Sequence, residues 1–324
     1  MIHDACLSNL WHPVARSAEL TDRPLAVRVL DEAVVVFRTS RGVYAFKDLC
    51  IHRGVPLSLG RVTKDELVCA YHGWAYDGCG SCTRIPSMPA GQTIPPKAKA
   101  FAYGCAEAEG FVWVKTGTRG DEPPPLVGRL DETLKRTYMG PYELEASAPR
   151  LIENFLDVSH LMFVHEGLLG DPGHAEIGEY EVREEKDGTL RSDEIAVFQP
   201  NSDGTGRTVV NRYVYEVIHP LCAALTKFGD DGTYFKLYLA VLPVTERRSK
   251  AYMVMERDYA RDDPDETFVR FQDVLIEQDR LIVEHQKPEL LPLDLQAELH
   301  LKCDRMSIAY RRSLKERGVS FGTA

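Results

Sequence analysis

The chain lacks any apolar run long enough to cross a bilayer. The longest, such as Ala33-Val34-Val35-Val36-Phe37, fall far short of the roughly 20 residues a spanning helix needs. The opening stretch from Met1 to Ser17 is mixed polar and has no apolar core of the kind a secretory leader carries. Basic charge is in deficit: 39 Lys and Arg stand against 49 Asp and Glu, a net charge of −10. That balance excludes nucleic acid as the expected partner, because phosphate contacts need clustered cations. It leaves room for docking with a basic patch on another protein. Internal repeats and low-complexity tracts are missing too, and 8 cysteines in 324 residues are too few for a disulfide scaffold. These absences point to a globular protein of the reducing cytoplasm, with no membrane partner and with cysteines that are free or metal-bound.

Apolar residues make up 44% of the chain and charged residues 27%, as in an ordinary globular protein, and 324 residues are enough for about two domains. Two short clusters then stand out, Cys50-Ile51-His52 and Cys69-Ala70-Tyr71-His72. Each offers one thiolate and one imidazole, donors suited to iron or zinc. In C-x-H the two donors are so close in sequence that holding both on one metal is awkward, and two metals relieve this. One iron takes Cys50 and Cys69, the other His52 and His72, with sulfides between. That is the Rieske [2Fe–2S] arrangement. A four-ligand zinc site is the alternative, although zinc sites favour C-x-x-C and H-x-x-x-H spacings.

Arg53-Gly54 follows the first cluster and Gly73-Trp74 the second, and glycine lets backbone approach a cofactor closely. The C-x-H-R-G and C-x-x-H-G-W forms resemble those of Rieske oxygenases. Rieske proteins of the cytochrome complexes carry an extra cysteine in each loop. Val55 and Tyr71 stand there in this chain, so that disulfide cannot form, and the departure implies a lower-potential cluster fed by a soluble reductase. Cys79 and Cys82 make a separate C-x-x-C with no partnering motif, read as free thiols in a Gly-rich turn.

Residues 25–30, 34–37, 43–46 and 110–114 read as short antiparallel strands, with the two ligand loops at hairpin tips of that sheet. The proline-rich stretch 117–125 reads as a linker, dividing a domain over 1–120 from one over 121–324. In the second half, helices are expected over 150–161, 265–285 and 307–317, with strands between 176 and 258. The first helix carries Asn154, Asp157 and His160 at steps of three, and His165 follows five residues on. Phe268, Phe271, Leu275, Asp279 and Ile282 make one stripe of the long helix, which should face the core. A carboxylate there needs a metal or a cation, because an unpaired buried charge is costly. A salt bridge to an arginine is one solution. The other joins Asp279 to His160 and His165 in the two-histidine, one-carboxylate triad of non-haem Fe(II).

The pattern Asn154-x-x-Asp157-x-x-His160-x4-His165, with Glu277-Gln278-Asp279 downstream, resembles the iron site of Rieske oxygenase large subunits. Size and the basic C-terminal helix place the likeness in the alpha-subunit-only branch, with the dicamba, vanillate and methylxanthine demethylases. Residues 165–171 and 309–319 also resemble saxitoxin-pathway hydroxylases. The resemblance implies an α+β fold: an antiparallel β Rieske domain, then a helix-grip (START/TBP-like) catalytic domain with a curved antiparallel sheet. It implies a homotrimer in which Asp157 bridges His72 of one subunit and His160 of the next. Asn154 joins Asp157 as an expected catalytic residue, and Leu161 and Leu275 are expected pocket walls. The implied reaction is monooxygenation, hydroxylation or demethylation of a small organic molecule. It uses a [2Fe–2S] cluster, Fe(II), O2, and NAD(P)H through a ferredoxin or flavin reductase. A Rieske electron carrier without oxygenase activity is the alternative.

Overall fold

The structure, a computed structural model, describes residues 4–117 and 122–324. The chain divides into two compact units between Val127 and Gly128. Of the linker expected over 117–125, residues 118–121 lie outside the described residues. Among the described residues no helix is long and apolar enough to cross a membrane.

The first unit holds the one-turn helix α1 (Ala5–Ser8) and ten strands. In order they are β1 (His12–Arg16), β2 (Leu25–Val29), β3 (Glu32–Thr39), β4 (Gly42–Lys47), β5 (Arg61–Thr63), β6 (Glu66–Val68), β7 (Ala75–Tyr76), β8 (Cys82–Arg84), β9 (Ala102–Ala108) and β10 (Phe111–Lys115). They form an antiparallel sheet of order β1-β10-β9-β4-β3-β2 and a smaller one of order β5-β6-β7-β8. Three hairpins turn on residue pairs that both have positive φ: Leu30-Asp31, Lys64-Asp65 and Glu109-Gly110. Two-residue turns of that kind match the twist of the strands they join. The run Val34–Phe37 is buried throughout, so β3 is apolar on both faces. Val35, Phe37 and Phe46 of the larger sheet pack with Leu67 and Tyr76 of the smaller, and Cys50 and Cys69 belong to this same cluster. The expected placement of both ligand loops on one sheet is therefore corrected. The first loop leaves β4 of the large sheet; the second is the β6–β7 tip of the small one.

The second unit is built on β11 (Lys135–Leu144), α2 (Ala148–Leu156), β12 (Val182–Glu184), β13 (Leu190–Ser192), β14 (Ile195–Gln199), β15 (Val209–His219), β16 (Cys222–Gly229), β17 (Tyr234–Thr245), β18 (Arg248–Arg257), α3 (Asp265–Val283) and α4 (Arg305–Glu316). Its antiparallel sheet runs β11-β18-β17-β16-β15-β13-β12, with β14 also on β15. Helix α2 packs on β16, β17 and β18, and α3 on β11 and α2. Strand register sets cross-strand rows on one face: Tyr213, Lys227, Phe235 and Arg257 in one, Tyr215, Leu225, Leu237 and Met255 in the next. Alternate residues share a face, so both rows look the same way.

Two helix expectations change. Helix α2 stops at Leu156, and His160 stands on a separate 3-10 turn, Ser159–Met162. Asp157 is the break: its Oδ1 accepts the Ser159 N–H at 2.8 Å, a local bond that competes with the helical ladder. On α3, Ile282 is 46% exposed, and Val283 takes the buried position. Four-residue steps from Leu275 through Asp279 to Val283 hold the inward face of this helix, whereas the three-residue step to Ile282 rotates away.

Candidate metal centres and the cavity beneath the sheet

The two loops of the first unit share one backbone pattern despite their unequal spacing. Cys50 C=O accepts from Gly54 N–H at 2.9 Å, and Cys50 N–H donates to Val55 O at 2.8 Å. Cys69 C=O accepts from Gly73 N–H at 3.1 Å, and Cys69 N–H donates to Trp74 O at 2.9 Å. Gly54 and Gly73 turn at φ of +72° and +68°, where a Cβ would be strained. Each loop thus presents a buried cysteine and a histidine further out. The rings of His52 and His72 lie 4.5 Å apart, and His52 stacks on Trp74 at 4.6 Å.

The donor set fits a [2Fe–2S] cluster. Both cysteines are free and buried, and burial pushes the Cys50 thiol up. An unmetallated Cys50 would stay neutral; iron would deprotonate a coordinating thiol outright. Cys50 Sγ lies 3.2 Å from Tyr76 Oη, a hydrogen bond that favours the thiolate. His52 Nδ1 is buried with no partner, as a metal-facing nitrogen would be. Cys79 is exposed, and Cys82 begins β8; both are free.

In the second unit His160, His165 and Asp279 converge. One ligand atom from each lies within 4.8 Å of the others. Asp279 Oδ1 is 3.6 Å from His160 Nε2 and 3.3 Å from His165 Nε2. Two ligands at right angles on one metal, each about 2.1 Å from it, stand about 3 Å apart, so each imidazole nitrogen need close only slightly on the carboxylate oxygen. Among the described residues no arginine or lysine pairs with Asp279, which removes the expected salt-bridge alternative. The outer nitrogens have partners of the kind that orient metal ligands. His165 Nδ1 meets Gln278 Oε1 at 2.8 Å, and His160 Nδ1 faces Asp157 Oδ2 at 3.6 Å, just beyond hydrogen-bond reach. Asn154 Nδ2 donates to Asp279 Oδ1 at 3.4 Å.

These groups line a cavity that is partly open to solvent. Leu161 and Leu275, both expected as walls, line it. The sheet rows supply walls that sequence reasoning missed, among them Tyr213, Lys227, Phe235 and Met255. Only the strand parity of Leu225 and Lys227 hinted at an inward lysine. Gln278 was quoted in the motif without a role.

A Rieske [2Fe–2S] domain family matches residues 10–99, and the vanillate O-demethylase oxygenase C-terminal domain family matches 144–318. The chain belongs to the Rieske non-haem iron oxygenases, with a Rieske cluster and Fe(II) as its cofactors. Methylxanthine N1-demethylase NdmA of Pseudomonas putida is 32% identical, over 96% of this chain and 89% of that protein. Methylxanthine N3-demethylase NdmB of the same organism is 30% identical, over 97% and 90%. The solved structure of NdmA with caffeine superposes with a TM-score of 0.86 at 31% identity, covering 96% of this chain and 91% of that one. The oxygenase domain sets aside the pure electron carrier. The protein is an oxidoreductase that acts on a small organic molecule.

Proposed function

We propose that this chain is the terminal component of a reductase-fed monooxygenase. It hydroxylates a ring or alkyl carbon, or removes an N- or O-methyl group, on a small aromatic, heterocyclic or alkaloid-like molecule. The observation that carries this reading is the convergence of His160, His165 and Asp279 in the wall of a largely apolar cavity. When bound, the cluster passes single electrons and the Fe(II) activates O2. Cys50, Cys69, His52 and His72 hold the cluster; His160, His165 and Asp279 hold the iron.

The remaining residues position and shield. Gln278 accepts the His165 Nδ1–H and fixes which nitrogen faces the metal. Asn154 Nδ2 donates to Asp279 Oδ1, the same oxygen that faces both imidazoles, and so steadies the carboxylate. Leu144, Leu151, Leu161 and Leu275 keep water from the reacting carbon. Asp157 is the relay carboxylate: it faces His160 Nδ1 at 3.6 Å and, across a homotrimer interface, accepts the outer N–H of His72 of the next subunit. An oxidised N-methyl group leaves as formaldehyde and the free amine, which makes demethylation and hydroxylation one chemistry. The likeness to two methylxanthine demethylases favours N-methyl heterocycles among substrates to try first. The domain over 1–120 receives electrons from a ferredoxin or flavin reductase, in the cytoplasm, and the domain over 121–324 spends them.

Incubation of the holoprotein with a reductase, NADH and N-methyl, O-methyl and aromatic compounds, read by mass spectrometry and formaldehyde release, tests the proposal. Substrate-dependent O2 uptake with a product of one added oxygen or one lost methyl is expected. NADH oxidation with no product from any class would overturn it.

A further inference from the structure

Lys227 is the inward residue of β16 in the row Tyr213–Lys227–Phe235, and all three line the cavity. Its residue is 5% exposed. Nζ donates to Ser202 O at 3.1 Å, which uses one of its three N–H bonds. The rings of Tyr213 and Phe235 flank it, at 5.3 and 4.7 Å to their centroids. No carboxylate pairs with it among the described residues. Asp203, whose charge it feels, is already held by Arg207 at 3.2 Å and by Thr205 at 2.6 Å. Arg257, the other cation of the row, differs: it meets Asp265 at 3.5 Å and Thr137 at 2.7 Å and is covered by Phe268 at 3.7 Å.

A buried ammonium that makes one hydrogen bond, faces two rings and pairs with no carboxylate is expensive to keep. Its cost shows as a depressed pKa, lowered by burial to about 7. The iron site does not supply the missing anion, because Asp279 is balanced by the divalent metal it would hold. What completes the site is a negative oxygen arriving with the substrate.

We infer that Lys227 is the anchor for a carboxylate on an aromatic substrate, and that this contact chooses which carbon faces His160, His165 and Asp279. The inference rests on the reading of the cavity as the substrate site. Tyr213 and Phe235 provide faces for the ring that bears the carboxylate. A carboxylate accepts from the N–H bonds not given to Ser202, and charge-assisted bonds of this kind are the strong ones. A neutral amide of the same shape leaves the ammonium uncompensated. Lys227 is thus a specificity-determining residue, and it takes no part in oxygen chemistry.

The test measures equilibrium binding to the metal-loaded holoprotein, anaerobically and without reductase, so no turnover is needed. Matched pairs serve as ligands: benzoate and benzamide, 4-methoxybenzoate and 4-methoxybenzamide, indole-3-carboxylate and its amide. The carboxylates should bind at least about tenfold more tightly than their amides. Lys227→Met should lower the carboxylates to the level of the amides and leave the amides unchanged, while Lys227→Arg keeps part of the preference. If Lys227→Met fails to fold or to hold metal, the wild-type ratio and Lys227→Arg still decide. No carboxylate binding at millimolar concentration, equal binding of both members, or an unchanged ratio in Lys227→Met overturns the proposal. A preference lost in Asp279→Ala but kept in Lys227→Met places the anion on the iron: Lys227 then fails as anchor while the iron reading stands.

Discussion

Replacing Asp279 by alanine should separate the two metals of the chain. Its carboxylate is the sole anion among the three converging side chains, 3.3 Å from one imidazole nitrogen and 3.6 Å from the other. Removing it leaves two neutral histidines to hold a divalent ion. Loss of an outer partner of a metal ligand costs ten- to hundredfold in affinity, so loss of the ligand itself should cost at least about 10³-fold, or ~4 kcal/mol. The cluster loops belong to the other compact unit and keep their donors. The variant should stay red-brown, keep the two irons of the cluster, lose the single iron, and neither take up O2 nor form product. Asp279→Glu keeps the charge but pushes it outward by a methylene, so it should retain iron and turn over slowly. Iron per chain, sulfide per chain and melting temperature are the assay. Full iron content with a lowered melting temperature would show that Asp279 is a structural carboxylate and would refute the reasoning.

Asp157→Ala should keep both metals yet nearly stop turnover: rapid-mixing reduction of the cluster stays normal while its reoxidation by the iron site slows, and normal turnover would exclude a relay role. Co-expressed Cys69→Ala and His160→Ala subunits should regain partial activity if electrons cross between subunits, whereas hybrid trimers with none would place transfer within one chain. Glu153 is buried between Arg311, at 2.5 and 2.8 Å, and Arg150, at 3.4 Å; Glu153→Gln should cost about 3–5 kcal/mol, roughly 10 °C in melting temperature. His12 is fully buried, and its pKa is lowered by burial from 6.5 to about 4. The unfolded chain therefore binds the proton first, stability is lost as pH falls below 6.5, and about 2 kcal/mol should go between pH 7 and pH 5. His12→Gln should flatten that difference in urea titrations.

Much of this was legible because the chemistry sits in short local motifs. Cys50-Ile51-His52 and Cys69-Ala70-Tyr71-His72 carry their own turns, and the shared hydrogen-bond pattern of the two loops follows from Gly54 and Gly73. Asp279 stood out as a charge within an apolar helix stripe. Less local features were harder to see. The break after Leu156 depends on one side-chain bond from Asp157, which helical spacing does not reveal. Ile282 was misplaced because steps of three and four diverge over a long helix. The small sheet under the second ligand loop has strands of two or three residues, too short for a periodicity to register. Lys227 reaches the cavity through the register of three strands, which pairs it with Tyr213 and Phe235, and no single segment encodes that row.

The central claim is that one chain holds both a Rieske cluster and a separate ferrous site with open positions beside the cavity. Electron paramagnetic resonance of the reduced holoprotein, exposed to nitric oxide, tests it without knowledge of the substrate. The account predicts a Rieske signal and a ferrous-nitrosyl signal in equal amounts. It also predicts loss of the nitrosyl signal alone in Asp279→Ala, and of the Rieske signal in Cys50→Ala. A full Rieske signal with no nitrosyl species in the wild type would contradict the account.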